Sequence, residues 1–148
     1  MNVQLSKNFS LDEMVHSDTA LRDGIENVPD VLSVKNLTSL CLHVLQPLRD
    51  HYKKSIHVNS GYRCAELNTA IRGSKHSQHM KGQAADFRID GVSPLDICRF
   101  LKNSDIEFDQ AIEEGTWTHV SWSEAPRKEM LTAKFDKNGK ATYTRGLS

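Results

Sequence analysis

The chain has 148 residues, of which 38% are hydrophobic and 26% charged, and its 19 basic residues balance its 19 acidic ones. This length predicts one domain with a single buried core. Zero net charge gives no long-range attraction to nucleic acid or anionic membranes, and no apolar run reaches transmembrane length, so we expect neither as a partner. The opening residues lack the apolar segment of a signal peptide, which predicts synthesis in a cytoplasm.

The first part of the chain is predicted to be helical. Ser10, followed three positions later by a glutamate, has the pattern of a helix N-cap with its capping-box partner. Residues 19–29 predict a loop or a frayed helix. From about residue 30 to 54 the apolar residues recur at helical spacing. Pro47 interrupts that pattern and predicts a kink or a break near Leu45.

The rest of the chain is predicted to alternate short strands with turns and helices. Ser93 and Pro94 are the residue types of an N-cap and a first helical position, so a helix is expected from there to about Asn103. The turn residues 136–140 give a strong hairpin signal. The predicted strands cover residues 56–59, 84–89, 108–112, 117–122, 129–135 and 141–144, and a further short helix covers residues 66–71.

These elements predict an α+β fold. We expect N-terminal helices, over about residues 9–54, to pack on a small and mostly antiparallel sheet over about residues 56–148. That sheet is expected to carry the chemically interesting residues. The whole chain, residues 1–148, is predicted to be a single domain and a monomer.

Two histidines and one aspartate stand out chemically. His79 and Asp86 lie seven residues apart around a turn at Gly82, and His119 lies inside a short apolar and aromatic strand. Strand alternation places His119 on the same face as Trp117. Two imidazoles and one carboxylate are the protein ligands of a catalytic zinc site, whose fourth position stays open for water. The pattern therefore favours a zinc hydrolase.

Three motifs together carry a resemblance to a known family. They are Ser60-Gly-Tyr-Arg63, Ser77-x-His79-x-x-Gly82-x-Ala84-x-Asp86 and Trp117-x-His119. In this order they resemble the zinc peptidases that include VanY-type D-alanyl-D-alanine carboxypeptidases and phage L-alanyl-D-glutamate endolysins. A compact phage and prophage branch of that group also shares the opening Phe9-Ser-Leu-x-Glu-Met14. The similarity covers the chain from about Phe9 to Trp122.

The resemblance implies that His79, Asp86 and His119 are the zinc ligands. His76, three residues before His79, is the alternative ligand from the same turn, but the Ser-x-His pattern selects His79. Each ligating imidazole would donate its other N–H to an acceptor, which orients the ring.

By the same resemblance, Arg63 and Ser77 hold carboxylate or carbonyl oxygens of the substrate. A guanidinium can bind a carboxylate with two parallel hydrogen bonds and can stabilise a developing oxyanion, which gives Arg63 a catalytic role as well. Without the resemblance, Arg63 would be interpreted as a structural ion pair after a turn. For Trp117, a packing role is favoured over a substrate platform.

The general base is where the sequence departs from the family pattern. The wider family has an acidic residue three positions before the last ligand histidine, and here that position is Thr116. In the arrangement of the compact branch the glutamate corresponds to Glu114, which we predict to be the base, with Glu113 as the second candidate. Burial beside the metal would raise the pKa of such a carboxylate towards neutrality. The alternative is that both glutamates are solvated loop residues.

The resemblance implies a zinc-dependent peptidase that acts on peptidoglycan stem peptides, at a D-Ala-D-Ala or an L-Ala-D-Glu bond. It implies a phage or prophage setting, with action at the bacterial cell wall after release. Thr116 keeps a second hypothesis open, a module that binds wall peptides or serves in a phage structure, with the zinc site but without hydrolysis. A third hypothesis is a structural domain without a metal.

Overall fold

The computed structural model describes residues 2–147. Within them the chain has the predicted α+β fold, with helices packed against a six-stranded sheet. The α-helices are α1 (Leu11–Val15), α2 (Asp18–Asp23), α3 (Val31–Leu40), α4 (Gln46–Tyr52), α5 (Ala65–Ala70) and α6 (Pro94–Asn103). The strands are β1 (Gln4–Ser6), β2 (Phe9–Ser10), β3 (His57–Ser60), β4 (Ala84–Arg88), β5 (Gln110–Glu113), β6 (Thr118–Ser121), β7 (Glu129–Phe135) and β8 (Ala141–Arg145).

The large sheet has the strand order β3-β4-β6-β5-β7-β8. All of its neighbouring strands are antiparallel except β5 and β7, which run parallel. The prediction of a mostly antiparallel sheet is therefore confirmed. Strands β1 and β2 form a separate antiparallel pair that the sequence pattern did not predict, since each is only two or three residues long.

The segment predicted as a loop or a frayed helix, residues 19–29, contains most of helix α2. The Ser17 hydroxyl accepts a hydrogen bond from the Ala20 amide at 3.1 Å and caps the N-terminus of this helix. At the other end Gly24 adopts the left-handed conformation, with φ of 67°, that terminates a helix. Local capping thus stabilises a helix that is too short to show an apolar period.

The break predicted at Pro47 takes the form of a π-helical turn, Cys41–Leu45, between α3 and α4. Pro47 lacks an N–H and its ring would collide with the preceding turn of a regular α-helix. In the π-helical turn the Gln46 amide donates to the Cys41 carbonyl, five residues back, which widens the turn ahead of the proline. The helical direction continues, and one apolar face of both parts stays buried, with Leu37 and Leu40 on α3 and Leu48 on α4.

The core lies between the helices and one face of the sheet. Residues that alternate along the central strands, among them Phe87 on β4 and Val120 on β6, point into it with no exposed surface. Helix α6 begins as predicted, with the Ser93 hydroxyl accepting from the Asp96 amide at 3.1 Å. Its buried Cys98 has a pKa raised to about 12 by burial, so this thiol stays protonated and unreactive. None of the helices within residues 2–147 is long and apolar enough to cross a membrane.

The other face of the sheet is open, and one row of side chains crosses it. The strand registers pair Asp86 with His119, His119 with Ile112, and Ile112 with Leu131. Side chains at paired positions share a face, so these residues all lie opposite the core. The fold therefore presents two of the predicted zinc ligands side by side on an accessible surface.

Candidate metal centre

The structure brings His79, Asp86 and His119 together. One ligand atom from each lies within 4.8 Å of the others, and this is a cluster of the kind that can hold a metal ion. Asp86 and His119 are directly paired on β4 and β6, and His79 comes from a 3₁₀ turn, Gln78–Lys81, that leads into β4. His76, the alternative from that turn, is exposed and is not part of the cluster.

The turn that carries His79 depends on a close packing of backbone. Ser77 Oγ accepts a hydrogen bond from the His79 amide at 3.2 Å and caps the turn. Gly82 ends it with a φ of 72°, and a Cβ at this position would lie only 2.4 Å from the Ser33 carbonyl oxygen of α3. Only glycine allows the turn to approach the helix this closely. The position of His79 is therefore set by contact with α3.

The ring of His79 is oriented by a backbone carbonyl. Its Nδ1 lies 2.7 Å from the Gly61 carbonyl oxygen, which can only accept, so Nδ1 carries the proton and donates. Burial lowers the pKa of His79, which favours the neutral ring. The neutral ring then presents the lone pair of Nε2, which is buried and has no hydrogen-bond partner among the described residues.

Asp86 lies between the two imidazoles. Its Oδ1 is 2.8 Å from His119 Nδ1 and its Oδ2 is 3.4 Å from His79 Nε2. Burial opposes ionisation of Asp86, but the hydrogen bond with His119 outweighs burial and holds the pKa of this carboxyl well below its usual range. The side chain is therefore an anion over the whole neutral range.

A zinc ion fits this arrangement. The His79 Nε2 lone pair and a carboxylate oxygen face each other at 3.4 Å, a contact between two acceptors that a cation would turn into an attraction. Two donors on one tetrahedral zinc, each about 2.0–2.1 Å from the metal, lie about 3.3 Å apart. The 3.4 Å between His79 Nε2 and Asp86 Oδ2 is close to that value, and one ligand atom from each of the three residues lies within 4.8 Å of the others. The donor set, two imidazoles and one carboxylate, is the one that leaves zinc an open position.

Arg63 lies buried beside the cluster. Its Nη1 donates to Asn68 Oδ1 at 3.1 Å, and its Nη2 lies 3.9 Å from Asp86 Oδ2. Burial lowers the pKa of this guanidinium, while the carboxylates of Asp86 and Glu114 oppose that shift, and an arginine stays charged under such conditions. Gly73 makes room for the pair, since a Cβ there would lie 2.1 Å from the Asn68 Oδ1 atom.

The two candidate bases are placed differently. Glu114 is buried, lines the same cleft as the cluster, and accepts a hydrogen bond at Oε2 from the Trp117 indole N–H. Burial raises the pKa of Glu114, and the Asp86 carboxylate adds to the rise while His119 opposes it. Glu113 instead turns back on its own loop, where its Oε1 accepts from the Gly115 amide at 3.0 Å. Thr116 is exposed and does not line the cleft.

Asp109 supports the turn of His79 from the other side. This buried carboxylate accepts from Gln78 Nε2 at 2.9 Å and from the Arg127 Nε and Nη2 atoms, each at 2.8 Å. Arg127 holds the pKa of Asp109 at about 2, with burial opposing the shift and the Gln78 amide supporting it. Because Gln78 directly precedes His79 and Asp109 directly precedes β5, the hydrogen bond between Gln78 and Asp109 connects the candidate ligand to the sheet. The sequence did not indicate the part played by Arg127.

The cluster lies on the floor of a cleft of about 620 Å³. Ser77, predicted to bind substrate, lines it together with Arg63, Glu114 and Trp117. The sequence interpretation missed further lining residues, among them Arg72 and three residues of β7 and β8, Leu131, Phe135 and Tyr143. Strand alternation in β7 and β8 could have identified the last three, had the position of those strands beside β5 been known.

The family model described as Peptidase M15 matches residues 7–121, which is well over half of the chain. The match contains the cluster, Arg63, Ser77 and Glu114, and it ends at the last residue of β6. No curated protein sequence matches the chain.

Proposed function

The chain belongs to the peptidase M15 family, which makes it a metallopeptidase, and we propose that it hydrolyses peptidoglycan stem peptides with zinc as its cofactor. The bond cut is a D-Ala-D-Ala or an L-Ala-D-Glu bond, and the protein acts at the bacterial cell wall in a phage or prophage setting. The observation that carries the proposal is the cluster of His79, Asp86 and His119 in one cleft with a buried glutamate and a buried arginine.

The three clustered side chains would hold the metal. When bound, zinc would supply Lewis acidity, which makes water a stronger acid and polarises the carbonyl under attack. The chain's own contribution is to keep the donors ready. Gly61 holds the His79 tautomer with Nε2 free, and the hydrogen bond with His119 keeps Asp86 ionised. Little rearrangement is therefore needed when the site is filled.

Glu114 would act as general base and then as general acid. The Trp117 indole occupies its Oε2, which leaves Oε1 to take the proton from the attacking water. Its raised pKa makes the carboxylate a better proton acceptor than a solvated glutamate. The same oxygen would hold this proton and deliver it to the nitrogen of the leaving amine as the peptide bond breaks.

Arg63 and Ser77 would position the substrate. Asn68 fixes one nitrogen of the Arg63 guanidinium, and the other terminal nitrogen is turned towards the cluster, where a substrate oxygen would lie. A charged donor held in this way stabilises a developing oxyanion without having to reorganise. The Ser77 hydroxyl accepts from the His79 amide, so its own proton is available for a substrate carbonyl.

The test is mass spectrometry of defined stem peptides after incubation with the zinc-loaded protein, which reports activity and the bond cut together. Glu114→Gln is expected to keep its zinc and to lose activity by about 10²–10⁴-fold, the usual effect of removing a general base. Glu113→Gln is the matched control and is expected to stay active, because Glu113 is folded back on its loop.

Two results would contradict the proposal. If the zinc-loaded parent leaves every stem peptide intact, a module that binds wall peptides without hydrolysis becomes the better description. If Glu114→Gln is as active as the parent, Glu114 is not the base.

A further inference from the structure

One wall of the cleft comes from the β7–β8 hairpin, which lies beyond residue 121, where the family match ends. Strand β7 runs parallel to β5, with Ile112 paired to Leu131, and so extends the row of side chains that contains the candidate zinc ligands. The hairpin thus extends the sheet face on which the metal centre lies.

The two faces of the hairpin differ in character. On β7, Leu131 and Phe135 point to the cleft, and on β8 Tyr143 does so from a position opposite Ala133. The opposite face of β7 packs Met130 against the core and buries Thr132. Beyond the core, the same face continues to an exposed pair of cross-strand partners, Lys134 and Thr142. The exposed part of the hairpin is therefore aromatic on the face that lines the cleft and polar on the opposite face.

The aromatic residues of that face are unusually accessible. Phe135 is 45% exposed and Tyr143 is 53% exposed, although both line a concave surface. Large apolar side chains left open in a cleft indicate a surface that a ligand covers. The centre of the Phe135 ring lies 5.8 Å from the centre of the Trp117 ring, so the hairpin contacts the tryptophan beside the candidate metal centre.

Trp117 connects this surface to the reacting centre, because its indole N–H donates to Glu114 while its ring approaches Phe135. A ligand that contacts Phe135 is therefore close to the side chain that holds the candidate base. The lining also contains the basic side chains of Arg63 and Arg72, and Arg63 follows β3, at the opposite edge of the sheet from the hairpin. The cleft is suited to a chain with small apolar side chains on one side and carboxylates on the other.

We propose that the cleft face of the β7–β8 hairpin is a substrate-binding subsite, in which Phe135 and Tyr143 contact the aliphatic side of a stem peptide whose carboxylates face Arg63 and Arg72. This inference rests on the proposed function and specifies how the substrate lies. Alanine methyl groups and backbone of the peptide pack on the rings, and the acidic groups of the peptide pair with the guanidinium groups. The cleft as a whole then selects peptides that have an apolar side and an anionic side.

The test compares two double variants of the full chain with zinc bound. Phe135→Ala with Tyr143→Ala removes the aromatic face, and Lys134→Ala with Thr142→Ala changes the opposite face of the same hairpin at paired positions. The substrate is the pentapeptide L-Ala-D-Glu-L-Lys-D-Ala-D-Ala. The aromatic variant is expected to raise KM about tenfold or more, as truncation of contact aromatics does, with kcat changed much less. The control variant keeps the KM of the parent.

Calorimetric binding of the same pentapeptide to the Glu114→Gln protein provides a readout besides turnover. Adding the aromatic double substitution is expected to weaken this binding by about the same factor of ten as KM, with an unchanged zinc content. If the double variant does not fold, the single Tyr143→Ala variant, at a half-exposed position, serves in its place.

Two outcomes would overturn the subsite, and they are distinguishable. If the parent cleaves the pentapeptide and the folded aromatic variant has the same KM and affinity, the subsite is wrong while the hydrolase proposal stands. If the parent neither cleaves nor binds the pentapeptide, both proposals fail together.

Discussion

Gly82→Ala tests the link between the fold and the metal centre. Gly82 closes the turn of His79 at a φ of 72°, and a Cβ there would lie 2.4 Å from the Ser33 carbonyl oxygen and 3.1 Å from Leu37 Cγ. An alanine in the left-handed conformation costs about 1–2 kcal/mol. Forcing a methyl group against a fixed helix costs about 1–3 kcal/mol more. We therefore expect the free energy of unfolding to fall by about 2–5 kcal/mol.

The same substitution should weaken zinc binding. The turn can relieve the contact only by moving away from α3, and His79 moves with it. That movement breaks the 2.7 Å hydrogen bond between His79 Nδ1 and the Gly61 carbonyl, which fixes the ring. Loss of such an orienting contact typically lowers metal affinity about 10–100-fold.

The assay is urea unfolding of the parent and the variant with and without zinc, together with a competition titration of zinc affinity. Gly139→Ala is the matched control. It has a φ of 80° but nothing within 4 Å of the added Cβ, so it should lose only the backbone term of about 1–2 kcal/mol and keep its zinc affinity. Equal destabilisation in the two variants would refute the role of the Ser33 contact. Undiminished zinc affinity in Gly82→Ala would refute the claim that this turn positions His79.

Three further predictions follow from the site. Zinc at about 1,000 times its Kd should raise the free energy of unfolding by about 4 kcal/mol, and His119→Ala should abolish this gain; calorimetric melting temperatures unchanged by zinc would contradict it. Arg63→Lys should lower kcat/KM about 10²-fold, because an ammonium cannot bind Asn68 and the substrate at once, and steady-state kinetics equal to the parent would contradict that. The pKa of Asp109 is about 2 in the folded protein, below its unfolded value near 4. Above pH 4 the ionised carboxylate should therefore add about 1–2 kcal/mol to the free energy of unfolding, and solvent screening at the half-exposed Arg127 keeps this contribution small. That contribution should shrink as the pH falls from 4 and should be lost as the pH passes below 2. Urea unfolding at pH 7 should therefore show the loss in Asp109→Asn, and the difference in stability between the variant and the parent should become smaller as the pH falls towards 2.

The parts of the fold that local signals specify were predictable from the sequence. Helix α6 begins at Pro94 after its Ser93 cap and ends at Asn103, as expected, because a cap and an apolar stripe are both encoded within a few residues. Strand β7 likewise has its predicted bounds, Glu129–Phe135. Pairing between distant segments was not predictable. The parallel alignment of β5 with β7 depends on where the whole hairpin docks, which no local pattern contains.

The site divides in the same way. The predicted convergence of His79, Asp86 and His119 is present in the structure, while their roles as zinc ligands remain predictions. Residue types and strand alternation identified the three, but they could not place Asp86 opposite His119, because that register is set across 33 residues of chain. The Gly61 carbonyl that orients His79 was also beyond the sequence, since a backbone acceptor has no residue signature.

The two adjacent glutamates show why the general base needed the structure. Glu113 and Glu114 have the same chemistry, and a one-residue shift at the end of a strand turns a side chain to the opposite face. At this strand end, Glu113 is drawn to the Gly115 amide, and Glu114 is held in the cleft by the Trp117 indole. Burial, together with the nearby Asp86 carboxylate, then raises the pKa of Glu114. Two residues upstream of Thr116, the end of the strand thus places a carboxylate in the cleft, where we propose that it serves as the base.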